Sequence, residues 1–469
     1  MAKRFLALLL SAIMLMTVPV MGAEIPDYIP DEFFDHSEGI AEAARNFEKS
    51  YSFGKEGVSV DTFSTIVKLM YSDNPELFHL SSNFSYTHPF GNPDVVLSII
   101  FDYKMSKEEY TSAIAEVEAW ADGVVALADD DFTDYEHALF FHDYLDTAYD
   151  YDTDLKVKDL YSFIKTGVGV CQAYTHAYTY LLRRAGVDVS FASSEEMNHI
   201  WNIVKIDGEW YHADVSWDDP TGGAMGKAKH DFFLYSDTGL MNNKTPHVGW
   251  IALHECTSDR FDPAPTADSL SSYAYTDGNW YYIKKVDDTV TLFATDDPVN
   301  EGSAVATIDK SVWHVWDSDA FYTNIYIGLY AAGGCLYFNN TESVLKYDPA
   351  SGKVTKVYTY RGGDGYIYGV APILNSDGTF DPEKAHIRIA QKPAEPLGDL
   401  LISTVPAAAG GDVNNDGSLT LSDVTLSLQY IARWSVDIPE SAADLDGDGK
   451  ITLTDVTVML KRIAGWVNA

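Results

Sequence analysis

Cysteine is scarce in this chain: 469 residues hold three, Cys171, Cys256 and Cys335. A disulfide framework needs a larger, even set, so the fold must be held by packing. At most one pair can close, Cys256 with Cys335 or another, which leaves a free thiol. Basic residues are few as well, 32 Lys and Arg against 70 Asp and Glu, for a formal net charge of −38. A surface that negative repels phosphate backbones and excludes nucleic acid as a partner. Long apolar runs are missing beyond the first residues, so no membrane span is expected. At the start, Lys3 and Arg4 precede an apolar stretch over 5–18, and Ala23 is a candidate cleavage position. That stretch is too short to cross a bilayer and reads as a signal peptide over 1–23. The mature protein is expected to be secreted.

What is present is apolar and aromatic. Hydrophobic residues make up 46% and there are 30 tyrosines, enough for several cores in a multidomain chain. Ser106-x-x-Glu109 and Thr133-x-x-Glu136 are capping-box starts. Behind the first, Tyr110, Ile114, Val117 and Ala121 fall at helical spacing. Residues 24–262 read as one α+β domain with a helical first part. From 269 to 398 the pattern changes to strand-like runs between turns such as Asp277-Gly278 and Asp377-Gly378, an all-β middle domain of unassigned role. It is too short for a full propeller, and a sandwich and a partial propeller both remain open. Residues 399–410, ending in small uncharged residues, read as a linker.

Two similar loops follow in 411–469, starting 32 residues apart at Asp412 and Asp444. The first offers side-chain oxygens from Asp412, Asn414, Asp416, Thr420 and Asp423 and a carbonyl from Ser418. The second offers Asp444, Asp446, Asp448, Thr452 and Asp455 and a carbonyl from Lys450. Oxygens at loop positions 1, 3, 5, 7, 9 and 12, with glycine at position 6, suit a hard cation and predict two Ca²⁺ sites. Each loop leads into one helix, with Val424, Leu428 and Ile431 or Val456, Leu460 and Ile463 on its apolar stripe. This loop-plus-exit-helix repeat, with Asp at position 12, resembles the type I dockerins. The resemblance implies a small all-α, Ca²⁺-dependent module that docks onto a cohesin module of a scaffold protein in a cellulosome or at the cell surface. Its recognition positions, loop positions 10 and 11, are here Leu421 and Ser422, and Leu453 and Thr454.

A second constellation lies upstream. Gly169-Val170-Cys171 precedes a segment with Tyr174, Ala177, Tyr178 and Leu181 on one helical face, which puts Cys171 at a helix start, where a thiolate is favoured. Asp207-Gly208 between two strand-like runs predicts a hairpin in which paired numbers sum to 415. Side-chain alternation then sets His199 and Asp214 on one face as diagonal neighbours. His212 shares that face and rivals His199 as the base. With the helix docked on that face, the imidazole would take the proton of Cys171, the logic of covalent acyl transfer. Gly169-Val170-Cys171-Gln172, His199-Ile200-Trp201-Asn202 and Asp214-Val215-Ser216-Trp217-Asp218 together resemble the transglutaminase-like superfamily, whose members share a papain-like core. The resemblance implies Cys171 as nucleophile, His199 as base and Asp214 as the orienting carboxylate, with no cofactor for catalysis. Trp201 is read either as an oxyanion donor or as a core aromatic; His142, His176 and His247 are read as structural or surface residues. The expected activity is a cysteine peptidase, amidase or acyltransferase acting on a protein or peptide substrate. The rival reading is a non-catalytic peptide- or glycan-binding component of a polysaccharide-degrading complex.

Overall fold

The computed structural model describes residues 30–464 and 466, apart from 220–224, 287–288, 309–311, 315–320, 324–325, 361–365, 391–397, 405–409, 415–418, 437 and 446–449. The expected signal peptide lies outside the described residues.

The first helices, α1 (Asp31–Arg45) and α2 (Val60–Asp73), pack around Phe63, Ile66 and Met70. Two small antiparallel sheets close this core: β1 (Ser50–Ser52), β5 (Ser98–Ile100) and β3 (Ser85–Thr87) in one, β2 (Val58–Ser59) and β4 (Val95–Val96) in the other. Strands of two or three residues leave almost no periodic trace, so sequence reading saw only helices and loops here. Both capping boxes form, at the starts of α3 (Lys107–Val125) and α4 (Asp134–Ala148). A short parallel pair, β6 (Asp150–Tyr151) with β7 (Val168–Gly169), brackets α5 (Leu160–Thr166) and delivers the chain to α6 (Cys171–Arg184).

The main sheet of this half has the order β11-β10-β9-β8-β12, with every neighbour antiparallel. Its strands are β8 (Val189–Ser194), β9 (His199–Ile206), β10 (Glu209–Ala213), β11 (Phe233–Tyr235) and β12 (Trp250–Ala252). Between them come α7 (Val215–Asp218) and α8 (Asp237–Met241). The β9–β10 hairpin keeps the expected register, from Ile206 opposite Glu209 to Asn202 opposite Ala213. Its two turn residues, Asp207 and Gly208, have φ of 52° and 90°, the left-handed values a tight hairpin requires.

The middle region is built from consecutive antiparallel meanders: β13 to β16 over 274–308, the pair β17–β18 over 312–323, β19 to β22 over 329–359, and β23 to β25 over 366–403. It does not close a core of its own throughout. Trp280, Tyr282 and Phe293 belong to the same apolar cluster as Trp120, Phe141 and Leu145 of α3 and α4. Tyr144 stacks on Phe380 with centroids 5.3 Å apart, and its hydroxyl donates to the Gly378 carbonyl at 2.8 Å. The linker expectation is corrected over its first residues: β25 (Gly398–Ser403) pairs along β24 (Phe380–Ala390), and Thr404 is tied to Pro382 and Glu383, while 405–409 lie outside the described residues. The short apolar run Leu400–Ile402 supplies Ile402 to the core.

The C-terminal module holds α9 (Leu421–Ile431), α10 (Glu440–Ala443) and α11 (Leu453–Ile463) around Val413, Val424, Ala443, Val456 and Met459. The expected stripe is buried only in part. Val424 and Val456 are inside, while Leu428, Leu460 and Ile463 are exposed, because Ser427 and Met459 occupy the helix–helix contact instead.

Candidate active site

Cys171 is the first residue of α6, and no side chain caps that helix start. The helix is fixed by its apolar stripe, since Tyr174, Ala177, Tyr178 and Leu181 are all fully buried. It docks on the hairpin face that carries Val204, Ile206, Tyr211 and Ala213. Asn202 locks the two together, its Nδ2 donating to Thr179 Oγ1 at 2.8 Å and to the Thr175 carbonyl at 3.2 Å.

That is the face opposite the one expected. By strand alternation His199, Trp201 and Ile203 point the other way, and Trp201 and Ile203 pack with Ala192, Phe232, Leu240 and Cys256. The reason is physical: an apolar helix stripe seeks the Val204, Ile206, Tyr211 and Ala213 face, while the apolar residues of the His/Asp face, Trp201 and Ile203, are taken up by Phe232, Leu240 and Cys256. Cys171 and His199 nevertheless meet, because each is the first residue of its element and reaches past the edge of the contact. The Cys171 sulfur lies close enough to the His199 ring to favour its charge.

Asp214 leaves the strand after Ala213 and becomes the N-cap of α7. Its carboxylate takes four donors. Oδ2 accepts from His199 Nε2 at 2.5 Å and from His247 Nε2 at 2.8 Å; Oδ1 accepts from Ser216 Oγ at 2.9 Å and from the Trp217 N–H at 3.2 Å. With His199 Nε2 so engaged, Nδ1 is the nitrogen left for the sulfur. Burial works against a charge on His199, but the Asp214 carboxylate and Cys171 outweigh it and lift the ring to about 10. Burial likewise opposes ionisation of Asp214, and the two imidazoles hold it well below the usual carboxylate range all the same. Asp214 and His199 thus form a buried imidazolium–carboxylate pair beside the half-buried Cys171 sulfur.

The rival His212 is fully occupied. Its Nδ1 accepts from Trp201 Nε1 at 3.0 Å, and its Nε2 bonds Asp237 Oδ1 at 2.8 Å. The same bond removes Trp201 from the list of oxyanion donors, because its one N–H is already used; its ring stacks on His199 with centroids 5.4 Å apart. Tyr151, placed by the β6–β7 pair, lies against Cys171, and burial followed by the charges of Cys171 and Asp214 raises its phenol.

All three cysteines are free thiols. Cys171 is half-buried, whereas Cys256 is fully enclosed and burial pushes its thiol far up. Among the described residues, three groups have donor atoms close enough to hold a metal ion: His142, Asp143 and His230; His199, Asp214 and His247; His212, Asp237 and Cys256. In each, imidazole-to-carboxylate hydrogen bonds of 2.5–2.9 Å already satisfy the close pairs. An ion would have to break them.

His142, read as structural or surface, is fully buried. Its Nδ1 bonds Asp143 at 2.8 Å and its Nε2 bonds Asp218 of α7 at 3.2 Å, while His230 also bonds Asp143. Burial opposes its charge, but the two carboxylates lift it to about 9. His247 is the functional neighbour that sequence reasoning missed. It stands alone in a loop 33 residues past Asp214, with no motif around it. Asp143 and Tyr151 also lacked a signal, and Asp218 had none beyond its place in the Asp214–Asp218 motif.

In the C-terminal module, Thr420 and Asp423, and Thr452 and Asp455, form matching capping boxes. Asp423 Oδ1 also accepts from the N–H groups of Val413 and Asn414, and Asp455 Oδ1 from that of Leu445. Position 12 is thereby folded onto the loop entry, with Asp412, Asp423 and Asp455 buried, which is the closure a hard cation needs. Asp416, Ser418, Asp446 and Asp448 lie outside the described residues. Leu421, Ser422, Leu453 and Thr454 are exposed at the two helix starts.

Residues 118–215 match the transglutaminase-like superfamily, so this part of the chain is a transglutaminase-like core domain. Residues 410–464 match the type I dockerin domain, and the chain carries that module behind its core domain. Type I dockerins typically bind calcium and dock onto cohesins, and the pairing points to a cellulosome-type component. Among solved structures, a crystal structure of a TGase is 12% identical with a TM-score of 0.22, covering 42% of this chain and 60% of its own. Arylamine N-acetyltransferase from Salmonella typhimurium is 8% identical with a TM-score of 0.17, covering 74% and 98%. The chain thus spans about 60% of the first structure's length, and neither likeness carries weight for the fold. No curated protein matches the chain. Among the described residues, no helix is long and apolar enough to cross a membrane.

Proposed function

We propose that this protein is a secreted, cohesin-tethered acyl-transfer enzyme that opens carboxamide or peptide bonds through a Cys171 thioester. The observation that carries the reading is the meeting of three groups from three separate elements: the sulfur at the start of α6, the His199 ring at the start of β9, and the Asp214 carboxylate at the cap of α7. The Cys171 thiolate attacks the carbonyl carbon, and the negative charge moves to the carbonyl oxygen. Main-chain N–H groups at the start of α6 are the donors offered to that oxygen, in a setting where such donors count for much of catalysis. As the C–N bond breaks, His199 passes its Nδ1 proton to the leaving nitrogen. Water or a second amine then gives a proton back to Nδ1 and attacks the thioester, which frees the thiolate. Asp214 keeps its proton off throughout and holds the ring in the required tautomer.

The dockerin supports placement in an extracellular assembly, where Leu421, Ser422, Leu453 and Thr454 face the cohesin and two Ca²⁺ ions hold the loops closed. The test is iodoacetamide labelling of Cys171 alongside turnover of peptide carboxamides, with and without a dansyl-amine acceptor. Release without incorporation indicates a hydrolase, and incorporation a crosslinker. An inert Cys171, or full turnover in Cys171→Ala, rejects the enzyme and leaves the binding-module reading.

A further inference from the structure

The buried triad has a fourth member. His247 lies in the segment between α8 and β12, and that segment is clamped: Ser194 Oγ donates to the Val248 carbonyl at 2.7 Å, the Val248 N–H meets Met197 Sδ at 3.2 Å, and β12 pairs along β8. The ring has no solvent exposure. It is walled by Trp217, Trp201 and Phe232, with centroid distances of 4.3, 4.7 and 5.2 Å. Its Nε2 reaches the same oxygen of Asp214 that holds His199, at 2.8 Å against 2.5 Å. Its other nitrogen, Nδ1, is buried without a partner.

These facts fix the ring's state. Asp214 Oδ2 is an acceptor, so Nε2 of His247 carries a proton. A bare Nδ1 needs no donor to remain neutral, whereas a protonated, unpartnered Nδ1 in that enclosure would be a buried charge with nothing opposite it. His247 is therefore a neutral donor pointed at the triad carboxylate.

We infer that His247 is a positioning residue of the catalytic centre, acting through Asp214: it pins Oδ2 toward His199 and takes a share of that oxygen's charge. The need for it follows from the chain path. Asp214 has left the β10 ladder, so sheet register no longer aims its side chain. Ser216 and Trp217 anchor only Oδ1. Without His247, Oδ2 is held by His199 alone, and only the two Oδ1 contacts brace the carboxylate against rotation. Division of the charge on Oδ2 between two donors also keeps the hold on the His199 imidazolium weaker than an undivided carboxylate would make it. The titratable groups facing the ring are Asp214, His199 and, across the sheet face, His212.

The inference rests on Cys171 and His199 forming the reactive pair, and the test separates the two claims. In the full-length protein, the rate of Cys171 alkylation by iodoacetamide is followed against pH, beside kcat and KM for a peptide carboxamide. Replacement His247→Phe keeps the ring volume and removes the donor. The expected result is a fall in kcat of about ten- to a hundredfold with KM nearly unchanged, and an alkaline limb of the alkylation profile that moves to higher pH. Replacement His247→Gln restores an N–H near Nε2 and is expected to recover most of both. A folded His247→Phe protein with unchanged kcat and limb overturns the inference, as does a fall in kcat that Gln does not rescue and that leaves the limb in place. An inert Cys171 in the unaltered protein overturns the enzyme reading instead. If His247→Phe does not fold, ¹⁵N NMR of the imidazoles in the unaltered protein decides: an Nε2–H tautomer for His247 at neutral pH supports the inference, and an Nδ1–H tautomer overturns it.

Discussion

The indole of Trp280 donates to Glu136 Oε1 at 3.2 Å, while the other oxygen of Glu136 closes the capping box at Thr133. One carboxylate thus caps a helix of the transglutaminase-like half and receives a strand of the β-rich half. Around it, Phe132 stacks on Trp280 with centroids 5.0 Å apart, and the Tyr273 N–H reaches the buried Asp143 carboxylate. Asp143 is bonded by His142, and His142 by Asp218 of α7, the helix that Asp214 caps. A line of hydrogen bonds therefore runs from the first strand region of the middle meanders to the helix bearing the triad acid.

Residues 30–404 are accordingly expected to unfold in a single transition, with Trp280→Ala costing about 3–5 kcal/mol, the range for a fully buried aromatic. Chemical denaturation followed by tryptophan fluorescence and by Cys171 alkylation should give coincident curves. Two separated transitions would contradict the shared core.

Triad substitutions should follow the wiring of Asp214. Asp214→Asn keeps an acceptor for Ser216 and Trp217 but sets an amide N–H against the His199 and His247 donors, so kcat is expected to fall about 10⁴-fold, while α7 should keep its cap. Steady-state kinetics and a thermal melt read the two separately. A silent Asp214→Asn would remove Asp214 from the mechanism.

Stability should depend on pH in a bounded window. His199 has a folded value raised to about 10, so its contribution is complete below the ordinary imidazole value and is lost as pH rises through about 10. Asp214 is depressed, so its contribution is present above the ordinary carboxylate value and is lost as pH falls toward its folded value. Melting temperatures of the unaltered protein and of His199→Gln should therefore differ most between about pH 4 and 6.5. The difference should shrink on both sides.

Asp146 should behave in the opposite sense. It is buried with both oxygens unpartnered, and burial followed by the neighbouring Asp219 pushes it well above the usual carboxylate range. A raised carboxyl is penalised once pH passes its unfolded value. Asp146→Asn should thus raise the melting temperature at pH 7 and do little at pH 4, as scanning calorimetry at the two pH values would show.

Calcium removal should act only on the tail. A chelator is expected to lower helical circular dichroism and abolish cohesin binding while Cys171 alkylation stays at its starting rate. Leu421→Ala combined with Leu453→Ala should weaken cohesin binding by at least tenfold, the loss of exposed anchors worth more than about 1 kcal/mol each, and leave calcium affinity unchanged. Titration calorimetry checks both.

Much of this was legible in the sequence because local rules dominate where it was. Asp207-Gly208 admits few turn geometries, so the hairpin register followed from two residues. The Tyr174 to Leu181 stripe announced α6, and two capping boxes announced α3 and α4. What was hidden depends on which surfaces meet. Strand alternation grouped His199 with Asp214 but did not say that α6 would take the Val204 face. Nothing near His247 marks it, since its role exists only once the segment before β12 folds over the sheet. The strand at 398–403 was hidden because three apolar residues in a row beside small ones show no strand period and look like linker until the partner strand is known.

The two junctions of this chain differ in kind. The tail's core, from Val413 to Met459, draws only on its own residues, so it can be traded between carriers as a cassette. The meanders cannot: shuffling them away would expose Phe132, Phe141 and Tyr144 and unhook Asp143. Recombination can give this protein a new dock, but must inherit the transglutaminase-like half and its β-rich companion together.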